Sequence, residues 1–335
     1  MEVSWKSFIQ SEGGEFKDGT LLSFGNPEQE RHIASSGDLF SDLSHLALLE
    51  VGGEESASFL QNQLTNDIAA LKIGDSQLDG WCTPKGRMLA LFLVVRTDES
   101  KFLLQFPIEL LEMVKKRMQM FIMRSKVTLT NLSNSLICIG VSGPTATKQL
   151  TNFTLSSGEQ PTVVSLQAGA FPRAFAISTI QNAPQLWEHL NVKSAPVGSR
   201  VWELTNIRAA VPTVVAATQE SFIPQMLNLQ NINGLSFTKG CYPGQEVVAR
   251  MEYLGELKRK PYRITILEDI TPSSGDRLYS KSSTSGQGAG EIISIEKDGD
   301  GVWEGLAVLA VKVAEADDLT YAEDGSISVK VIQPL

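Results

Sequence analysis

The stretch 239–250, Lys-Gly-Cys-Tyr-Pro-Gly-Gln-Glu-Val-Val-Ala-Arg, brings an amine, a thiol, a carboxylate and a guanidinium within one short span. Pro243-Gly244 is a turn dipeptide: proline pre-sets the first central position and glycine accepts positive φ at the second. Gly240 lets the backbone before Cys241 bend or approach another group closely. Cys241 is therefore expected on an ordered loop, outside regular strand. A cationic neighbour favours the thiolate form of a cysteine, and Lys239 stands two residues away. Cys241 and Lys239 are the candidate catalytic pair, with Cys241 as a nucleophile, a transient ligand or a redox group. The alternative is a buried cysteine in a tight turn, and both readings stand at this point.

The rest of the chain narrows the setting. Its 335 residues suffice for two or three domains. With 42% hydrophobic and 20% charged residues it has the composition of an ordinary soluble globular protein. No apolar run approaches the roughly 18–20 residues that span a bilayer. Met1–Lys6 lacks the basic and apolar regions of a secretory signal. The net charge of −9 argues against broad nucleic-acid binding. Cys82, Cys138 and Cys241 form no CxxC pair and no Cys/His cluster, so no resident metal site and no disulfide framework are expected. A reducing, cytoplasmic location and no membrane partner follow as expectations.

Several elements must position the loop. Residues 1–38 read as loops with one short strand. Residues 46–51 read as a strand ended by Gly52-Gly53. Leu60, Leu64, Ile68 and Leu71 recur at helical spacing and predict a helix over 54–71. Residues 78–106 predict strands joined by tight turns, one of them Thr83-Pro84-Lys85-Gly86. Pro107 opens a helix whose apolar stripe includes Ile108, Leu111, Val114, Met118, Phe121 and Ile122. Lys115, Lys116, Arg117, Arg124 and Lys126 give that region positive charge, read as a solvated face or as a docking surface for RNA or an acidic partner. Strands at 126–131, 135–141 and 172–178 and helices at 145–152, 183–191 and 199–210 complete an α+β pattern. His32, His45 and His189 read as isolated. The segment 211–238 is long and irregular, a kind of loop that commonly serves function. Beyond 256, short β-rich runs separated by Gly, Asp and Ser predict a small β-barrel.

The 239–246 loop resembles the K-G-C-Y-x-G-Q-E loop of the YgfZ family, which is related to the T-protein (aminomethyltransferase) of the glycine cleavage system. The similarity extends to Phe222-Ile223-Pro224-Gln225, Asn228-Leu229-Gln230 and Gly234-Leu235-Ser236-Phe237. Further matches are Phe59-Leu60-Gln61 with Thr65-Asn66-Asp67, and Pro84-Lys85-Gly86-Arg87-Met88. The resemblance implies an α+β fold of ring-like arrangement, with two α+β domains and a C-terminal β-barrel. The expected boundaries are 1–46 plus 132–250 for a discontinuous first domain, 47–131 for the second, and 256–335 for the barrel.

The resemblance also implies a bound tetrahydrofolate or other reduced folate. Trp202 falls where the family carries a folate-contacting tryptophan; a core tryptophan is the alternative reading. Leu46 stands where the family has another. Tyr242, Gln245 and Glu246 would shape the loop or orient the folate, and Lys239 would tune Cys241. Charge alone suggests Arg250, and Lys85 or Arg87, for the folate carboxylates. Aminomethyltransferases place an acid on the strand after the Gly86 turn, where this chain has Ala90 and Leu91. Neither side chain can move a proton, which argues against glycine cleavage. The implied role is a folate-binding accessory protein that supports iron–sulfur enzymes, including radical enzymes that thiolate tRNA, through Cys241. A one-carbon transferase with its acid supplied by Glu246 or Asp67, and a non-catalytic scaffold, are the rivals.

Overall fold

A computed structural model describes residues 4–167, 169–281, 288–316 and 318–335. Contacts divide the chain into two compact units, each formed from separated segments. The first comprises 1–48, 131–211 and 296–301; the second comprises 49–130, 212–295 and 302–335.

The first unit is built on a five-stranded sheet in the order 162–166, 173–179, 136–142, 39–42, 195–196. Its pairs are antiparallel except the edge strand Ala195–Pro196, which runs parallel to Leu39–Asp42. Trp187 fills the core, with ring centroids 4.6 Å from Phe40 and 5.8 Å from Trp5. The N-terminal segment is more ordered than its composition suggests. It holds the helix Trp5–Ser11, the hairpin Glu15–Lys17/Thr20–Ser23 and the helix Pro27–Ile33. A seven-residue helix is too short to persist alone. Tertiary burial of Trp5 and Ile9 holds it, at about 1.5–3 kcal/mol for each large apolar side chain.

The second unit contains the greater part of two sheets. One is five-stranded, in the order 76–82, 88–98, 101–107, 46–52, 128–131. The strand Met88–Asp98 is buried along most of its length, as its apolar run requires of an interior strand. The other is a curled six-stranded sheet in the order 319–320, 277–280, 290–297, 303–310, 259–266, 330–334, half a barrel in shape. Its core includes Ile264, Ile292, Leu309 and Trp303.

Residues 212–250 pack with the 49–130 segment and so join the second unit, whereas the sequence reading groups them with the first. Backbone bonds give the reason. Met88 donates to the Phe222 carbonyl and Glu220 donates to the Met88 carbonyl, each at 2.8 Å. The predicted 54–71 helix is also shorter: Ser56–Gln63 is helical, Leu64 is extended, and Ile68–Ala70 forms a single 3-10 turn. Leu64 leaves the helix to bridge Trp81 on the neighbouring strand, and the Asp67 side chain caps the following turn by accepting from Ala69 N. The end of the 239–250 stretch is the corresponding omission. A helix runs from Gln245 to Leu254 immediately after the Pro-Gly turn.

Candidate functional site: the Lys239–Glu246 loop

The loop lies wholly within the second unit and is anchored by groups drawn from four separate stretches of chain. Lys239 is buried, and its Nζ donates to the carbonyls of Gln61 and Leu64, each at 2.5 Å. Those carbonyls belong to the last turn and C-cap of the Ser56–Gln63 helix, which carry the negative end of its dipole. Lys239 is thus a C-terminal cap supplied from a distant loop. Its amine also lies 5.3 Å from the centroid of the buried Tyr242 ring. The Lys239 amine is thus held by the two helix-end carbonyls. Burial lowers its pKa to about 8, against the opposing pull of Asp79 and Asp67.

Thr65, Asn66 and Asp79 complete the attachment. Thr65 Oγ1 donates to the Gly234 carbonyl at 2.8 Å and accepts from Gly80 N at 2.7 Å. Asn66 Nδ2 donates to the carbonyls of Leu78 and Asn233. Asp79 is fully buried, accepts from Asn66 N and Gln77 Nε2, and is pushed by burial up to about 7. Asp79 was not anticipated, although an acid inside Gln77-Leu78-Asp79-Gly80-Trp81 breaks an otherwise strand-like run and is a legible signal. Gln225, also buried, donates from Nε2 to the Val248 carbonyl and so ties the Phe222–Gln225 segment to the helix after the loop.

The two glycine turns meet directly. Gly244 has φ +86°, and a Cβ there would stand 2.6 Å from the Thr83 carbonyl oxygen and 2.7 Å from Gly86 N. Gly86 has φ +70° and faces Val247. The turn 83–86 and the turn 243–244 therefore touch backbone to backbone, an approach only glycine permits.

Cys241 is exposed in this frame, while Cys82 and Cys138 are buried; all three are free thiols. Of the two readings left open by the sequence, the buried one is excluded. Cys82 packs 3.7 Å from the Met88 sulfur, and burial pushes its thiol up to about 12. It is an inert hydrophobe at neutral pH. Gln245 is half-buried at the start of the 245–254 helix, and Glu246 and Arg250 are exposed one turn apart on it. Lys85 is exposed, whereas Arg87 donates from Nη1 to the Ser221 carbonyl at 2.6 Å.

Trp202 lies in the first unit and is 2% exposed. Its ring packs so tightly on Gly140 that a Cβ there would fall 2.7 Å from it, and the Arg173 guanidinium carbon lies 5.0 Å from its centroid. Trp202 is thus a buried ring packed against Gly140 with Arg173 beside it. The surrounding polar groups form a network the sequence reading missed. Arg173 donates to Asn206 Oδ1, Asn206 Nδ2 donates to Glu203 Oε2, and Glu203 Oε1 meets His45 Nε2 at 2.9 Å. Burial alone would raise the Glu203 carboxyl; His45, Asn206 and Arg173 outweigh it and hold the pKa below its usual value. His45 is therefore paired, not isolated, a contact its distance in sequence conceals.

Ala90 and Leu91 are both buried in the strand Met88–Asp98. Asp67 is engaged in accepting from Gln61 Nε2 and Ala69 N.

A family model described as the GCVT N-terminal domain matches residues 23–172. The tRNA-modifying protein YgfZ of Yersinia pseudotuberculosis serotype O:1b (strain IP 31758) is 33% identical over 318 residues, covering 90% of this chain and 94% of that protein. The chain belongs to the YgfZ family. The YgfZ of Colwellia psychrerythraea is 30% identical over 277 residues, with 80% of this chain and 84% of that protein covered. The structure superposes on the glycine cleavage system aminomethyltransferase T of Bartonella henselae with a TM-score of 0.77, covering 98% of this chain and 96% of that one. At 15% identity this match establishes the shared fold. Among the described residues no helix is long and apolar enough to cross a membrane, and no cluster of three metal-ligating side chains occurs.

Proposed function

We propose that this YgfZ-family chain is a folate-binding accessory protein in tRNA modification. It supports the assembly or repair of iron–sulfur enzymes that thiolate tRNA, and it acts through Cys241. The observation carrying the reading is an exposed thiol on a loop that Lys239, Tyr242 and Gly244 fix to the fold. Such a thiol is accessible to a partner and presented in one place, which is what a nucleophile or a transient ligand needs. The names of the relatives support the tRNA link, and the iron–sulfur partners and a cytoplasmic setting belong to the proposal.

The reduced folate rests on family membership. The Trp202 ring is buried, and Tyr242, buried beside the Lys239 amine, would shape the loop. Gln245, Glu246 and Arg250 remain open to a ligand, with Arg250 suited to a carboxylate. A folate bound here would serve as a one-carbon carrier or as a ligand that stabilises the fold.

Expression of the full chain in a host lacking its own family member tests the role of the thiol. The wild type should restore methylthiolated tRNA nucleosides, measured by mass spectrometry, and Cys241→Ala should not. Equal restoration by the variant would reject Cys241 as the acting group. Calorimetric titration with tetrahydrofolate tests the ligand separately: binding should weaken in Arg250→Ala and persist in Trp202→Phe. A complete absence of heat with the wild type would remove folate from the proposal.

A further inference from the structure

The chain carries a net charge of −9, yet every ionisable side chain between Lys115 and Lys126 is basic. This segment spans the end of the helix Leu111–Ile122, in the second unit. Leu111, Val114, Met118 and Ile122 are its buried row. Outside that row, Met120 is 61% exposed, Phe121 48% and Met123 86%. Single exposed apolar side chains are common on proteins. Three within four consecutive residues, at a helix end ringed by cations, form a patch.

The backbone holds the patch in place. Met123 ends the helix with φ +39°, and Ser125 N then donates to the Ile122 carbonyl. Lys126 is occupied by Glu54, 2.6 Å away, and the Arg117 guanidinium lies over the Trp81 ring. Lys115, Lys116 and Arg124 have no ion-pair partner among the described residues. The result is an apolar centre of Met and Phe with free cations around it.

We propose that this helix end is a docking surface for an acidic, amphipathic polypeptide segment of a partner protein. Methionine is the side chain best able to adapt to a partner's apolar residues. Met, Phe and Arg are the residue types enriched where proteins meet, with apolar centre and polar rim in this arrangement. The free cations select acidic flanks and repel basic ones. An RNA face would need several open rings and cations tracking along a groove; here one ring is exposed and the cations sit at the rim. A membrane-bound helix lays a whole apolar face into the lipid, whereas this helix has its apolar face in the core. The surface is independent of Cys241 and of any folate, so its failure and that of the proposed function are distinguishable.

The test uses the full chain and a labelled synthetic peptide of glutamates with Leu and Phe at i, i+3 and i+4 spacing, followed by fluorescence anisotropy. The wild type should bind it, and added salt should weaken binding. Met120→Ser with Met123→Gly should lower affinity about tenfold, as loss of a central anchor does; glycine has no Cβ to oppose the positive φ at 123. Lys116→Glu with Arg124→Glu should do the same. Those two positions are exposed and unpaired, so this variant keeps the test decisive if the apolar one unfolds. No binding by the wild type, or equal binding by wild type and charge-reversed chain, would overturn the proposal. So would patch-dependent binding of an RNA hairpin or of phosphatidylglycerol vesicles without binding of the peptide.

Discussion

Gly244 and Gly86 approach so closely that a Cβ on Gly244 would lie 2.7 Å from both the nitrogen and the Cα of Gly86. The contact fixes where the Cys241 loop meets the strand turn, and it joins two motifs separated by much of the chain. Both residues hold positive φ, so glycine is needed twice over, for conformation and for space.

Gly244→Ala is therefore expected to destabilise the protein by about 2 kcal/mol or more, since it adds a clash to a positive-φ penalty. A control, Gly240→Ala, should be mild, because a Cβ there meets nothing within 4 Å and the position carries no positive φ. Denaturant melts of the two variants make the comparison. Equal destabilisation would mean that the contact of the turns contributes nothing particular.

Lys239→Met keeps most of the buried stem and removes both bonds to the helix-end carbonyls. Hydrogen bonds to a charged group contribute about 1.5–3 kcal/mol each, part of it returned when the amine no longer has to be buried. A net loss of about 1–3 kcal/mol is expected. Amide exchange should become faster in the Ser56–Gln63 helix. Unchanged exchange there, with the global stability unaltered, would refute the capping role.

Much of this site was legible as a set of motifs, and little of it as a set of contacts. The Pro-Gly and Pro-Lys-Gly turns announce themselves because proline and glycine act locally. The helix over 245–254 was hidden behind the motif that precedes it, and Gln245-Glu246 read as loop chemistry instead of a first helical turn. Lys239 reads as a neighbour of Cys241 because only Gly240 separates them in sequence. Its partners, Gln61 and Leu64, lie far away along the chain. The long-range pairs His45–Glu203 and Trp202–Arg173 escaped for the same reason: tertiary placement, not spacing, brings them together. Trp202 shows the other limit, since burial decides whether an aromatic side chain is packing or platform.

Stability should respond to pH around the buried Asp79. Burial raises its pKa from 3.8 to about 7, so between those values the native state holds a proton that the unfolded chain releases. The contribution is present below the unfolded value and is lost as pH rises through about 7. Lys239 has the opposite limb: burial lowers its pKa from 10.5 to about 8, so the unfolded chain holds the extra proton and stability recovers above about 8. Asp79→Asn should flatten the descending limb and Lys239→Met the rising one. Glu296, raised to about 8 by burial, adds a descending limb of its own, so the comparison is wild type against variant. Parallel curves for wild type and Asp79→Asn over the acid-to-neutral range would mean that Asp79 ionises normally.

The three cysteines should separate cleanly by accessibility. Cys241 is exposed, whereas Cys82 and Cys138 are buried in the strands Ser76–Cys82 and Leu136–Ser142. A thiol reagent reaches a buried cysteine only when the surrounding structure opens, and the raised pKa of Cys82 suppresses its thiolate further. Native protein at neutral pH should therefore label at Cys241 alone in the fast phase, and denatured protein at all three positions. Cys241→Ser should abolish the fast phase while leaving the thermal melt unchanged, because an exposed side chain contributes little to stability. Fast labelling at Cys82 would mean that the contact between the two turns opens readily. Absence of fast labelling at Cys241 would mean that the loop is closed in solution, and the thiol would lose its standing as the group that acts.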